Sequence, residues 1–137
     1  ICGFPGETEN DHLDTISLMN KIKYDFGFMF KYSERPGTLA ARKFVDNIPE
    51  EVKQRRLSEI IDLQLKHSFE NLSNYINKYS NVLIEKESKK SKEYWCGRNP
   101  QNIMVVFPKD RYEIGDYAKV KILSNTSTTL IGEAIKK

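Results

Sequence analysis

The side chains best suited to chemistry in this 137-residue chain lie in two places. In the second half, Lys86, Lys89, Lys90, Lys92 and Arg98 surround Tyr94 and Trp95, with Asn99, Gln101 and Asn102 close behind. Cationic side chains neutralise phosphates, aromatic rings stack on splayed bases and amides read base edges, so such a set can bind nucleic acid. It reads equally as a solvated, Lys-rich hairpin whose Trp belongs to a core. Near the start, Gly3-Phe4-Pro5-Gly6-Glu7-Thr8 follows residues 1–3, which read as a strand end, and opens a helix. In α/β folds, backbone amides converge on small ligands at such loops, and glycine permits a close approach. A tight turn without a ligand has the same composition. Arg35-Pro36-Gly37-Thr38 follows the next apolar run and is expected on the same face, so that two loops would share one mouth.

No catalytic constellation accompanies these loops. His12 and His67 lack a second His or Cys at ligand spacing and read as surface or boundary residues. Cys2 and Cys96 lack an adjacent base and read as small core or strand residues. Glu7 with Glu9, and Glu50 with Glu51, read as charges at helix N-termini.

The elements that must position these groups follow from pattern. With 39% hydrophobic and 11% aromatic residues the chain can build a core, and no apolar run approaches the roughly 18 residues of a membrane span. Cysteine usage fits a reducing, cytoplasmic setting. Residues 1–76 hold 10 Lys and Arg against 12 Asp and Glu, whereas 77–137 hold 12 against 7. That step from net −2 to net +5 predicts two units, the second facing a polyanion. In the first, Thr8 caps a helix with Asp11 three residues on, and Leu13, Ile16, Met19 and Ile22 mark its expected buried stripe. The run 26–30 reads as a second strand, parallel to the first, giving a βαβ unit. Pro49 is expected as the first residue of a long helix. Its stripe is Leu57, Ile60, Ile61, Leu65, Phe69, Leu72 and Ile76, with Lys53, Arg55, Arg56, Glu59 and Asp62 on the solvent side. Beyond residue 77 the period becomes two. Strands are expected at 81–86, 94–98, 103–107, 117–122 and 128–135, which predicts a small OB-like antiparallel barrel.

The residues resemble one family closely. Gly3-Phe4-Pro5-Gly6-Glu7-Thr8, Tyr32-Ser33-Glu34-Arg35-Pro36-Gly37-Thr38, Ile48-Pro49-Glu50-Glu51-Val52-Lys53 and Gly97-Arg98 with Val105-Val106-Phe107 are similar, in that order, to radical-SAM methylthiotransferases of the MiaB type. The resemblance implies an α/β remnant of a radical-SAM partial barrel over 1–76, with a long connecting helix, and a small all-β TRAM barrel over 77–137. It implies a parent enzyme that methylthiolates isopentenyl-adenosine next to the tRNA anticodon, using S-adenosylmethionine and two [4Fe–4S] clusters. Gly3, Phe4, Pro5, Gly6 and Glu7 would line the S-adenosylmethionine pocket. Arg35, Lys89, Lys90, Lys92, Trp95, Arg98 and Asn102 would serve substrate and tRNA, with Trp95 or Tyr94 stacking or packing.

The six cluster cysteines of the family are not among these residues. Ile1 is not an initiator Met, so the chain reads as the C-terminal part of something longer, with no cofactor and no turnover expected from it alone. Its incomplete sheet is expected either to self-associate or to be covered by the long helix. Asn77 stands where relatives carry a glycine, a place where Asn tolerates left-handed backbone. Two other readings compete: a freestanding OB-like RNA-binding module, or a related methylthiotransferase acting on threonylcarbamoyl-adenosine or a ribosomal protein.

Overall fold

Thr8 caps the first helix as its spacing to Asp11 requires. Its Oγ1 accepts from the Asp11 N–H at 3.2 Å, and the Asp11 carboxylate accepts from the Thr8 N–H at 2.8 Å. The helix, α1, runs Glu9–Ile22 and closes on Lys23 in left-handed geometry. It is followed by α2, Leu39–Lys43, capped by Thr38, and by α3, Glu50–Ser73. The computed structural model describes residues 1–135 and contains two compact units, Ile1–His67 and Ser68–Lys137.

The buried faces in the first unit differ from the expected stripes. On α1, His12 and Met19 are buried and Ile16 partly so, whereas Leu13 and Ile22 are about half exposed. At 3.6 residues per turn, a strict three-residue series of four members swings through about 180°, so it cannot keep to one face. Residues 12, 16 and 19 lie within about 60° of one another and do. On α3 the same arithmetic selects Lys53, Arg56, Ile60, Gln64 and His67 as the buried row, with Leu57 and Leu63 partly covered. Leu65 and Phe69 fall outside it and are exposed. Lys53 and Arg56, expected on the solvent side, are therefore inside, because carboxylates from the preceding loops meet them there. Both histidines are deeply buried rather than at the surface or boundary. Pro49 stands one position before α3 and lends its carbonyl to the Val52 and Lys53 N–H groups.

The run 26–30 is not a strand. Cys2 makes one parallel bridge to Lys31, its N–H donating to the Phe30 carbonyl at 2.9 Å and its carbonyl accepting from Tyr32 at 2.8 Å. The parallel sense is as expected, but residues 26–30 are irregular, with Phe26, Phe28 and Phe30 each more than 60% exposed. A parallel strand is stable when neighbours pair with it and both faces are covered; within this unit only the short segment around Cys2 pairs there. Met29 alone turns inward, joining Cys2, Met19 and Ile60 with Leu57 beside them.

The second unit matches the period-two reading. Its strands are β1 Tyr79–Glu87, β2 Tyr94–Arg98, β3 Met104–Pro108, β4 Tyr117–Asn125 and β5 Thr129–Ala134. They close in the order β1-β2-β3-β5-β4, antiparallel throughout except for β3 with β5. This is the OB-like barrel expected. Val82, Ile84, Val105, Phe107, Val120, Ile122 and Leu130 fill it, and Leu72 from the end of α3 joins them. Asn77, at φ 64°, turns the chain from α3 into β1 in left-handed backbone, as its residue type allows.

Gly97 marks the tightest point of the wall. A Cβ there would lie 2.0 Å from the Leu83 carbonyl oxygen, a backbone atom fixed by the β1–β2 ladder. Gly97→Ala is expected to destabilise the barrel by about 1–3 kcal/mol or more, seen as a lower midpoint in urea denaturation with an unchanged slope.

Candidate functional site

The loop at residues 3–7 is built onto the charged face of α3. Arg56, only 5% exposed, donates to Glu7 Oε1 at 2.6 Å and to the Glu7 carbonyl at 3.1 Å, and reaches Glu9 at 3.0 Å. The same Glu7 Oε1 accepts from the Gly3 N–H at 3.0 Å, so one carboxylate oxygen ties loop to helix. Gly3, at φ 72°, sits directly on Lys53; a Cβ there would meet Lys53 Cγ at 2.5 Å. Lys53 pairs in turn with Asp46 at 2.5 Å. The Gly6 N–H donates to Asn47 Oδ1 at 2.9 Å, and the Glu7 N–H closes a turn onto the Phe4 carbonyl. The Gly3 and Gly6 amides thus serve the loop itself, while the α-carbon of Gly6 faces open space.

Phe4 joins the two expected loops. Its ring meets Tyr32 edge-on at 5.0 Å and Phe44 at 5.6 Å, the residues that precede and follow the loop and short helix carrying Arg35. Thr38 Oγ1 donates to the Arg35 carbonyl at 2.8 Å and accepts from Ala41, which leaves the Arg35 side chain exposed.

Around this loop runs a chain of ion pairs. Arg55 links Glu9 at 2.7 Å to Glu59 at 2.8 Å, and Glu59 takes His12 Nε2 at 2.6 Å. Hydrogen bonds from Arg55 and then Arg56 hold the Glu9 carboxyl down at about 2, and those from His12 and Arg55 lower Glu59. Burial pushes both cysteine thiols upward, the wrong direction for nucleophiles. Among the described residues no group of His, Cys, Asp or Glu is arranged to hold a metal ion, and no helix is long and apolar enough to cross a membrane.

In the barrel, the basic set divides. Lys89, Lys90 and Lys92 are exposed on the loop between β1 and β2. Arg98 is held to Asn102, donating to its carbonyl at 2.9 Å and its Oδ1 at 3.0 Å. Asn102 accepts them from left-handed backbone at φ 63°. Trp95 packs on the barrel core, with Lys109 Nζ 4.3 Å from its ring centroid and Glu87 pairing with Lys109. Its ring therefore packs and is capped by a cation. Asn99 is buried and its Oδ1 collects the N–H groups of Gln101 and Ile103, so it shapes the turn that presents Asn102.

Residues 74–135, spanning the whole barrel, match the family described as the TRAM domain. The barrel of the second unit is TRAM-like. The chain as a whole is similar to enzymes named tRNA-2-methylthio-N(6)-dimethylallyladenosine synthase. Identity is 62% with that of Christiangramia forsetii and 58% with that of Flavobacterium johnsoniae, over 98% of this chain and 28% of each relative. With that of Parabacteroides distasonis it is 51% over the full chain and 30% of the relative. The MiaB-type resemblance thus extends beyond the TRAM barrel through the first unit, although the chain spans less than a third of these relatives' length. Among solved structures, a multidomain protein with nucleic acid binding domains from Streptococcus pneumoniae aligns at a TM-score of 0.38 and 12% identity, over 49% of this chain and 28% of that one.

Arg56, Lys53 and Asn47 were not singled out by residue type. The available signal was the 53, 56, 60, 64, 67 row, which fits one helix face better than the apolar series does. Arg56→Ala would leave the Glu7 carboxylate, 15% exposed, without its guanidinium. The expected cost is about 3–5 kcal/mol, with loss of hydrogen-exchange protection at the Gly3 amide. A second expectation concerns pH. Because the folded Glu9 carboxyl lies near 2 instead of 4.5, its contribution is complete above about pH 4.5 and fades as pH falls towards 2. Melting temperature should drop across that window, and Glu9→Gln should shrink the drop.

Proposed function

We propose that this chain is the RNA-engaging part of a MiaB-type radical-SAM tRNA methylthiotransferase, acting on isopentenyl-adenosine beside the anticodon. The observation that carries the proposal is the 62% identity to a named synthase over 98% of the chain, continuous across the TRAM barrel and the 3–7 loop. In this reading the first unit is the edge of the radical-SAM domain. The exposed cations of the β1–β2 loop then neutralise tRNA phosphates, with Arg98 oriented by Asn102.

The group chemistry divides between this chain and the remainder of such an enzyme. Two buried cysteines in separate units do not fit an iron–sulfur cluster, which takes at least three thiolates on one side, so no step runs through a cluster held here. For S-adenosylmethionine the fit is through shape. The 3–7 loop has spent amides on Glu7 and Asn47, and the Phe4 ring and the open α-carbon of Gly6 are what it would offer as a wall, with Arg35 exposed on the loop after Tyr32. When bound, that cofactor supplies the radical that activates the adenosine carbon. The residues of this chain hold the wall in place. The bare Phe26, Phe28 and Phe30 face, which α3 leaves uncovered, fits self-association of the isolated chain.

Deleting the gene in its host is expected to remove the 2-methylthio group from isopentenyl-adenosine in bulk tRNA, read by nucleoside mass spectrometry. Loss of the threonylcarbamoyl derivative instead would reassign the substrate. For the barrel, replacing Lys89, Lys90 and Lys92 together by Ala should lower tRNA affinity and reduce the slope of log affinity against log salt by about 2–3.

A further inference from the structure

The cations of the β1–β2 loop lie beside Trp95, which packs against the barrel core and is capped by Lys109, and beside the half-buried Tyr94. Exposed rings lie elsewhere, on the outer face of β1 and β4. There the register places Tyr79 opposite Lys121, Asn81 opposite Lys119 and Leu83 opposite Tyr117. Alternate residues of both strands, Val82, Ile84, Ala118, Val120 and Ile122, point into the barrel, so this second set faces outward by the pleat. Tyr79 is 57% exposed and Tyr117 72%. Lys119 Nζ lies over one face of the Tyr79 ring, 5.3 Å from its centroid, so a base would stack on the other face, and neither Lys119 nor Lys121 pairs with a carboxylate among the described residues. The acidic neighbours are Glu133, directly opposite Lys121 on β5, and Glu85, which faces Arg98 at 3.7 Å.

We propose that this β1–β4 face is a second RNA-binding surface, on which Tyr79 and Tyr117 stack unpaired bases while Lys119 between them and Lys121 beside Tyr79 neutralise adjoining phosphates. The inference rests on the RNA-binding reading given above and adds to it a place and a mode. Two rings four strand positions apart are separated by roughly 13 Å, room for bases to be received singly. Lys119, exposed between them, and half-buried Lys121 beside Tyr79 supply the charge complementarity a polyanion needs, and Asn81 between the rings offers one amide to a base edge. A sheet face bearing exposed tyrosines at this spacing has no role in filling the barrel, whose core is complete without them.

The experiment uses a short oligoadenylate and bulk tRNA as probes, with affinity read by fluorescence anisotropy at two salt concentrations. Tyr79→Ala with Tyr117→Ala is expected to weaken oligoadenylate binding about 10- to 100-fold, leaving the salt slope unchanged, because stacking releases no counterions. Tyr79→Phe with Tyr117→Phe should bind as the parent does. Lys119→Ala with Lys121→Ala should lower the slope. Ring-proton resonances of both tyrosines in the unaltered protein should move upfield on adding oligoadenylate, a readout independent of any variant's folding. If the parent binds the probes, the Ala pair binds equally well and the ring resonances stay put, the face is not a stacking surface and the RNA reading stands on the loop alone. If the parent binds neither probe, the RNA reading fails and this surface with it.

Discussion

The guanidinium of Arg56 lies buried on α3, and a buried charge is tolerated only with a matching carboxylate and enough hydrogen-bond partners. Glu7 supplies both a carboxylate oxygen and a backbone carbonyl, and that same carboxylate oxygen takes the Gly3 N–H. The shape of the 3–7 loop follows from this need. Gly3 must lack a side chain because Lys53 occupies the space, and Glu7 must be long and charged to reach both helix and loop. Phe4 is thereby thrown outward against Tyr32 and Phe44, which sets the second loop beside the first. A helix face that looks unfavourable for burial thus specifies the shape of the 3–7 loop.

The TRAM barrel obeys a different rule. Its interior is apolar, and its closure relies on backbones coming close enough that Gly97 and Gly132 can carry no side chain; a Cβ at Gly132 would sit 2.3 Å from the Lys121 carbonyl oxygen. With the inside settled by shape, charge is left entirely to the outside, where it is free to serve binding. Some of it is nonetheless structural. Lys109 bridges the Trp95 ring and the Glu87 carboxylate, which it keeps below its ordinary range, and so braces the strands that bear the Lys89, Lys90 and Lys92 loop.

How much of this was legible in the sequence depends on what each element needs from elsewhere. The barrel strands were readable because each buries one face in its own unit, and period two records that directly. The α1 start was readable because a capping box is local. The 26–30 run departs from the expected strand because an apolar run does not say that its own unit covers it; Phe26, Phe28 and Phe30 remain bare. The α3 face is not legible from hydrophobicity, because its buried row is largely polar. Lys53, Arg56, Gln64 and His67 are inside because loops distant in sequence bring Asp46 and Glu7, α1 brings Asn20, and the Tyr24 carbonyl closes onto Gln64. For the nucleic-acid site, charge was legible and ring exposure was not. Composition located the lysines, but only the pleat separates a Trp that packs from tyrosines that do not.

This division has a consequence for how the barrel would read a ligand. Cations on a loop act as point charges without directional preference, so they raise affinity for any polyanion and discriminate little. Arg98 differs, because Asn102 holds one of its guanidinium nitrogens through two acceptors and Glu85 approaches Nε, which directs the planar group instead of leaving it to sample solvent. Asn99 makes that arrangement possible by folding the turn around its own side-chain oxygen. Directed groups give register, undirected ones give strength, and the TRAM barrel carries both within one hairpin and its following turn. In the proposed tRNA-binding role, selectivity for one tRNA over another therefore comes from the parts whose geometry is tied to the backbone, the Arg98–Asn102 pair and the rigid strand faces, and not from the lysine loop.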